Sequence, residues 1–138
     1  MELKFSANAG FFGMRRDRFT QYQPQRDLEE KIELVASVEG VTGVELKYPN
    51  DFADLKRVCE LLEKRDLQVS AVNVDIKDAE HFRHGALSAR SQTAREKVIG
   101  LLCEGMDLAA ELGTGLVTTC PLADGDDYPF QSVHGEAW

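Results

Sequence analysis

Two kinds of apolar spacing take turns along this chain, and their alternation most narrows the folds open to it. In "VTGVELKYP", Val44 and Leu46 alternate with Glu45 and Lys47, the period-two pattern of a strand with one apolar face. Just before it, Leu28, Ile32, Val35 and Ala36 recur at helical spacing. Carried along the chain, the pattern predicts strands at 2–7, 42–47, 68–74 and 115–120, and helices at 27–38, 52–65 and 92–112. A further helix begins at "SVHGEAW", with Ser132 as its cap and Val133 and Trp138 opening its apolar face. Strict β-α alternation implies parallel strands joined by right-handed crossovers, here in the spatial order 1-2-3-4.

Local signals agree with this division. Asp27 followed by Glu30 approximates a capping box, and Gly40 ends the first helix. Asp51 is expected to cap the second, whose stripe is Phe52, Leu55, Val58, Cys59 and Leu62. Ser91 is placed to cap the third, and Gly113 sits where its C-cap belongs. Two architectures fit: an open α/β parallel sheet, or a segment of a (β/α)8 TIM barrel. No GxGxxG or GxxxxGK[ST] follows the first strand, which weakens a nucleotide-binding open sheet. The polar, turn-rich stretches all follow strands (8–26, 47–51, 75–91, 121–132), while helix-to-strand connections are brief. Barrel enzymes carry their active sites on the loops after strands, so this distribution favours the barrel.

Composition narrows the function classes. The formal charge of −8 opposes binding to nucleic acid or an anionic membrane. No apolar run is long enough to span a bilayer, and the N-terminus lacks the basic and apolar regions of a signal peptide. Cys59, Cys103 and Cys120 are odd in number and widely spaced, which suits reduced thiols in a cytoplasmic protein.

Four stretches carry a resemblance. "GVTGVELKYP", "FRHGALS" followed by Arg95, "MDLAAELGTGLVTTCP" and "DGDDYPFQ" together resemble the xylose isomerase-like TIM-barrel family of sugar isomerases and epimerases, over about residues 3–131. "GALS" in the third loop together with "DYPFQ" in the fourth is the most specific part. A full barrel needs eight strands and typically about 250 residues. With four strands and a fourth helix just begun, residues 1–138 are expected to form the N-terminal half of a single TIM-barrel domain, a half-barrel.

The resemblance implies a metal-dependent enzyme that interconverts aldose and ketose, or keto-sugar epimers, of a sugar or sugar-like polyol. It implies a divalent metal (Mn, Mg, Co or Zn) held by acidic residues and a His at the ends of strands five to eight. Such a metal stabilises the developing oxyanion while a carboxylate moves the proton. Those strands lie outside this sequence, so no metal ligand and no catalytic residue is assigned to it, and no metal is expected on this half.

What remains is a substrate-side wall. Asn8 and the aromatics Phe11 and Phe12 follow the first strand, where they either close over a sugar or pack the loop against itself. Glu45, Lys47 and Tyr48 end the second; if Val44 and Leu46 face the helices, Glu45 and Lys47 point into the barrel mouth. Asn73 and Asp75 end the third, as hydroxyl ligands or loop anchors, with Asp75 the more structural of the two. Cys120 is read as a pocket-wall residue, since Thr118 and Thr119 offer no base to activate it. His81 and His84, three apart in "HFRH", lack a third ligand and read as solvated loop residues, and His134 as a surface residue.

Two other functions compete. An open α/β domain could serve binding or regulation without catalysis. Endonucleases acting at abasic sites in DNA share the barrel, but they need a basic groove and strand-end histidines, and this acidic chain has three His, none directly at a strand end. Finally, a half-barrel would leave two bare sheet edges and an uncovered interior face, which predicts self-association.

Overall fold

The computed structural model describes residues 3–13, 15–16, 21–76, 81–82 and 84–120. The expected fourth loop at 121–132 and the helix opening at Ser132, with His134, lie outside the described residues. The strands are β1 (Phe5–Asn8), β2 (Arg15–Arg16), β3 (Gln21–Gln23), β4 (Val41–Tyr48), β5 (Gln68–Val74) and β6 (Val117–Thr119). The helices are α1 (Leu28–Ala36), α2 (Leu55–Lys64) and α3 (Gln92–Glu111), with short 3-10 turns at Ala9–Phe12 and Asn50–Phe52.

The chain is an α/β protein built on one curled, four-stranded sheet in the order β1-β4-β5-β6. Every neighbouring pair in it is parallel. That is the arrangement expected of the four predicted strands. The first strand starts later than expected and reaches Asn8, and the last is shorter. The sequence did not signal the small antiparallel ribbon of β2 and β3 inside the first long connection. Neither segment has the alternating apolar pattern that made the other strands visible.

The helix starts follow local chemistry. Asp27 accepts from the Glu30 amide at 2.8 Å while the Glu30 carboxylate accepts from the Asp27 amide at 3.0 Å, a complete capping box. Ser91 accepts from the Ala94 amide and caps α3. The start of α2 corrects the sequence reading. Asp51 does not cap a helix at 52–65; residues 50–52 form a 3-10 turn, and Asp54 caps α2 by accepting from the Arg57 amide at 3.0 Å. The reason is that Asp51 is engaged elsewhere. Its buried carboxylate pairs with Lys31 of α1 and accepts the Lys47 backbone amide at 2.9 Å.

The core lies on one side of the sheet. Val44, Leu46 and Val72 are fully buried against Ile32 and Val35 of α1 and Val58, Leu61 and Leu62 of α2. A second cluster joins Val74, Ile76, Phe82 and Ala86 to Val98 of α3. Helix α3 comes close because residue 105 is glycine: a Cβ there would stand 2.5 Å from Val74 Cγ2. At its end Gly113 takes a φ of +73°, the left-handed conformation that stops a helix cheaply.

The opposite, inner face of the sheet is largely polar. It carries Ser6, Asn8, Glu45, Ser70, Asn73 and Thr118, linked by side-chain hydrogen bonds, and Lys47, ion-paired with Asp75. Among the described residues no helix is long and apolar enough to cross a membrane.

Candidate functional site

Period two decides which side chains meet on the inner face. With Val44 and Leu46 buried under the helices, Glu45 and Lys47 must project the other way. The parallel register sets Asn8 beside Glu45, Lys47 beside Asn73, and Asn73 beside Thr118. Four strands thereby place their polar side chains around one point.

That point is a single oxygen, Glu45 Oε1. It accepts from Asn8 Nδ2 at 2.9 Å, Asn73 Nδ2 at 2.8 Å and Thr118 Oγ1 at 2.9 Å. Asn73 Nδ2 also donates to Thr118 Oγ1 at 2.8 Å, which closes a triangle. Asn8 is tied down separately, because its Oδ1 accepts from the Gly10 amide at 2.8 Å and so caps the 3-10 turn that follows β1. Three donors on one carboxylate oxygen fix the Glu45 rotamer, since charge-assisted bonds of this kind are the strong ones.

Layers lie on either side of this hub. Towards the strand starts, Ser6 and Ser70 share a hydrogen bond of 2.8 Å across β4. Residue 43 between them is glycine, where a Cβ would stand 3.0 Å from Ser6 Cβ and 3.2 Å from Ser70 Cβ. Towards the strand ends, Lys47 Nζ lies 3.3 Å from Asp75 Oδ2, with the lysine side chain 43% exposed and the carboxylate 19%. The backbone amide of Lys47 is the one held by Asp51, so the buried Lys31–Asp51 pair anchors the end of β4.

Other candidate residues stand apart from this face. Tyr48 shares the parity of Val44 and Leu46, and its hydroxyl donates to Glu104 Oε2 of α3 at 2.6 Å, on the helix side. Its ring lies 6.5 Å from that of Phe52. The bond to Glu104 raises the Tyr48 hydroxyl pKa above its ordinary value, with burial and the negative charge of Glu104 adding to the effect. Phe12 is half-buried against the cluster of α1 and β4, and Phe11 is exposed. Cys120 is half-buried just beyond β6 and forms no disulfide. His81 and His84 are exposed, and His81 borders a cleft of about 510 Å³ with Asp75, Phe82 and Lys97.

The sequence reading missed Thr118, Ser6 and Ser70 as members of the polar face. The signal for Thr118 was weak, because β6 is only three residues long and "VTT" shows no alternation. Among the described residues no group of three or more His, Cys, Asp or Glu side chains could hold a metal ion.

No protein-family model matches this sequence, and none of the curated proteins matches it. Chemistry must therefore be read from the face itself. It offers one carboxylate, two carboxamides, hydroxyls and a lysine–aspartate pair at the carboxyl ends of parallel strands, the kind of donor and acceptor set that binds polyhydroxylated molecules.

Proposed function

We propose that this chain is the substrate-side wall of a metal-dependent sugar or polyol isomerase or epimerase of TIM-barrel type, working in the cytoplasm. The observation that carries the reading is the convergence of Asn8, Asn73 and Thr118 on Glu45 Oε1 near the carboxyl ends of four parallel strands. Parallel barrels place substrate contacts at that end of the sheet. A merely structural inner face would be filled by branched apolar side chains, as barrel interiors usually are. The resemblance to the xylose isomerase-like family supports the same reading. It assigns the divalent metal and the proton-moving carboxylates to strands that these 138 residues do not contain. The described ends of the sheet, β1 and β6, are the edges that such strands would pair with, or that a second copy of the chain would occupy.

The test has two parts. The open reading frame is expected to continue into four further β/α units with Glu, Asp, His and Glu near their strand ends. The protein it encodes should interconvert an aldose and a ketose, or two epimers, only with a divalent metal such as Mn²⁺. The 138-residue chain alone should show no turnover with or without Mn²⁺. Turnover by the short chain itself would contradict the assignment, and so would inactivity of the longer protein across aldoses, ketoses and their epimers. The open parallel sheet also suits a non-catalytic binding domain, and ligand binding without any turnover in the longer protein would favour that function.

A further inference from the structure

The hub at Glu45 is lopsided. All three donors converge on Oε1, and among the described residues Oε2 receives none. Asn73 is lopsided in the complementary way. Its Nδ2 serves both Glu45 and Thr118, and its Oδ1 has no partner among the described residues. Both side chains are only half-buried. Two fixed acceptors, on side chains joined by a 2.8 Å bond, thus stand on the half-buried polar face.

We infer that Glu45 Oε2 and Asn73 Oδ1 are a paired acceptor subsite for neighbouring hydroxyls of an uncharged polyol segment. Acceptors select donors, which excludes carbonyl and phosphate oxygens as direct ligands. Charge points the same way. On this face Lys47 is matched by Asp75, and the Glu45 carboxylate leaves it net negative, so an anion is repelled. A hard cation would need about six oxygens, and among the described residues no group of three or more His, Cys, Asp or Glu side chains could hold one. Two hydroxyls on adjacent carbons satisfy a pair of acceptors without bringing a charge. The enzyme reading therefore gains a substrate class at this wall: the hydroxylated, unphosphorylated part of the molecule.

Glu45→Gln is a sharp probe because the hub dictates its orientation. Three donors face the Oε1 position, so the Gln carbonyl must sit there and its NH2 must take the place of Oε2. The hub survives while the outward acceptor becomes a donor. The measurement is a ¹H–¹⁵N spectrum of the 138-residue chain titrated with xylitol, inorganic phosphate or MgCl2. Xylitol should shift the Asn73 side-chain amide and the Thr118 backbone amide saturably, and phosphate and Mg²⁺ should not. E45Q should weaken xylitol binding at least about tenfold, the worth of a hydrogen bond to a charged group. Lys56→Ala, on the exposed side of α2, should leave it unchanged. If E45Q does not give a folded spectrum, Asn73→Ala, which keeps Glu45, carries the same expectation. No xylitol response at Asn73, an equal response in E45Q, or saturable shifts there from phosphate or Mg²⁺ would each overturn the subsite. The inference rests on the sugar reading for its choice of polyol, but its test needs neither metal nor turnover. A failed titration removes the subsite alone, and absent metal-dependent turnover in the longer protein removes the enzyme alone.

Discussion

Leu46 and Glu45 are adjacent in the chain and belong to different worlds. Leu46 is fully buried in the apolar cluster that also holds Ile32, Val35, Val58 and Leu61. Glu45 faces the other side of the same strand, half-buried, with three hydrogen bonds on one oxygen and none on the second among the described residues. The two faces of the sheet thus divide the labour. The helix side holds the fold together, since burying a large aliphatic side chain contributes about 1.5–3 kcal/mol. The inner side uses polar groups that gain little net stability when they exchange water for one another, on the order of 1 kcal/mol per bond. A polar face of that kind contributes less to folding than the helix side does and suits the ligand role proposed for it.

The sharpest way to break this comparison is to disturb Asp51, the one buried charged side chain among the described residues. Asp51→Ala leaves Lys31, 13% exposed, without its buried partner and releases the Lys47 amide. Removing one member of a buried pair costs about 3–5 kcal/mol, and urea unfolding should show a loss of that size. Gly105→Ala comes next. Alanine gains about 1 kcal/mol in helix propensity, but its Cβ would meet the stiff Val74 side chain at 2.5 Å. Overpacking costs about 1–3 kcal/mol, so the net result expected from the same titration is a loss of about 1 kcal/mol. On the inner face, Lys47→Met removes a half-exposed ion pair with Asp75 and should change unfolding by about 1 kcal/mol or less.

The smallest effect belongs to Tyr48, and it appears only at high pH. Its hydroxyl donates to Glu104, so folding raises its pKa above the unfolded value of about 10. A raised pKa means the folded state keeps the proton more tightly. The stabilisation is therefore complete below about pH 10 and is lost as pH rises through the folded value. Thermal melts from pH 8 to about 11 should show wild type losing more stability than Tyr48→Phe. Parallel curves for the two proteins would mean the bond is not maintained in solution.

How much of this could be read from residues alone depended on how strongly each stretch repeats. The long, regular segments were legible. β4, β5 and α3 announce themselves by period, and the box at Asp27 and Glu30 by its chemistry. The alternation also told which way Glu45 and Lys47 would point once Val44 and Leu46 were assigned to the core. What the sequence could not show was competition between equals. Asp51 and Asp54 are both acceptable caps, and only the position of Lys31 on another helix, with the Lys47 amide beside it, decides between them. Tyr48 stood beside two inner-face residues in the chain, yet parity sends it to Glu104. Thr118 was overlooked because three residues are too few to show a period.

The division between the faces is tested most directly by measuring the unfolding free energies of Glu45→Gln and Leu46→Ala side by side in urea. Leu46→Ala should lose about 2–5 kcal/mol, the cost of emptying a buried aliphatic site. Glu45→Gln, which keeps an oxygen at the hub, should lose about 1 kcal/mol or less. A loss for Glu45→Gln as large as that for Leu46→Ala would contradict the account, because the inner face would then be holding the sheet together.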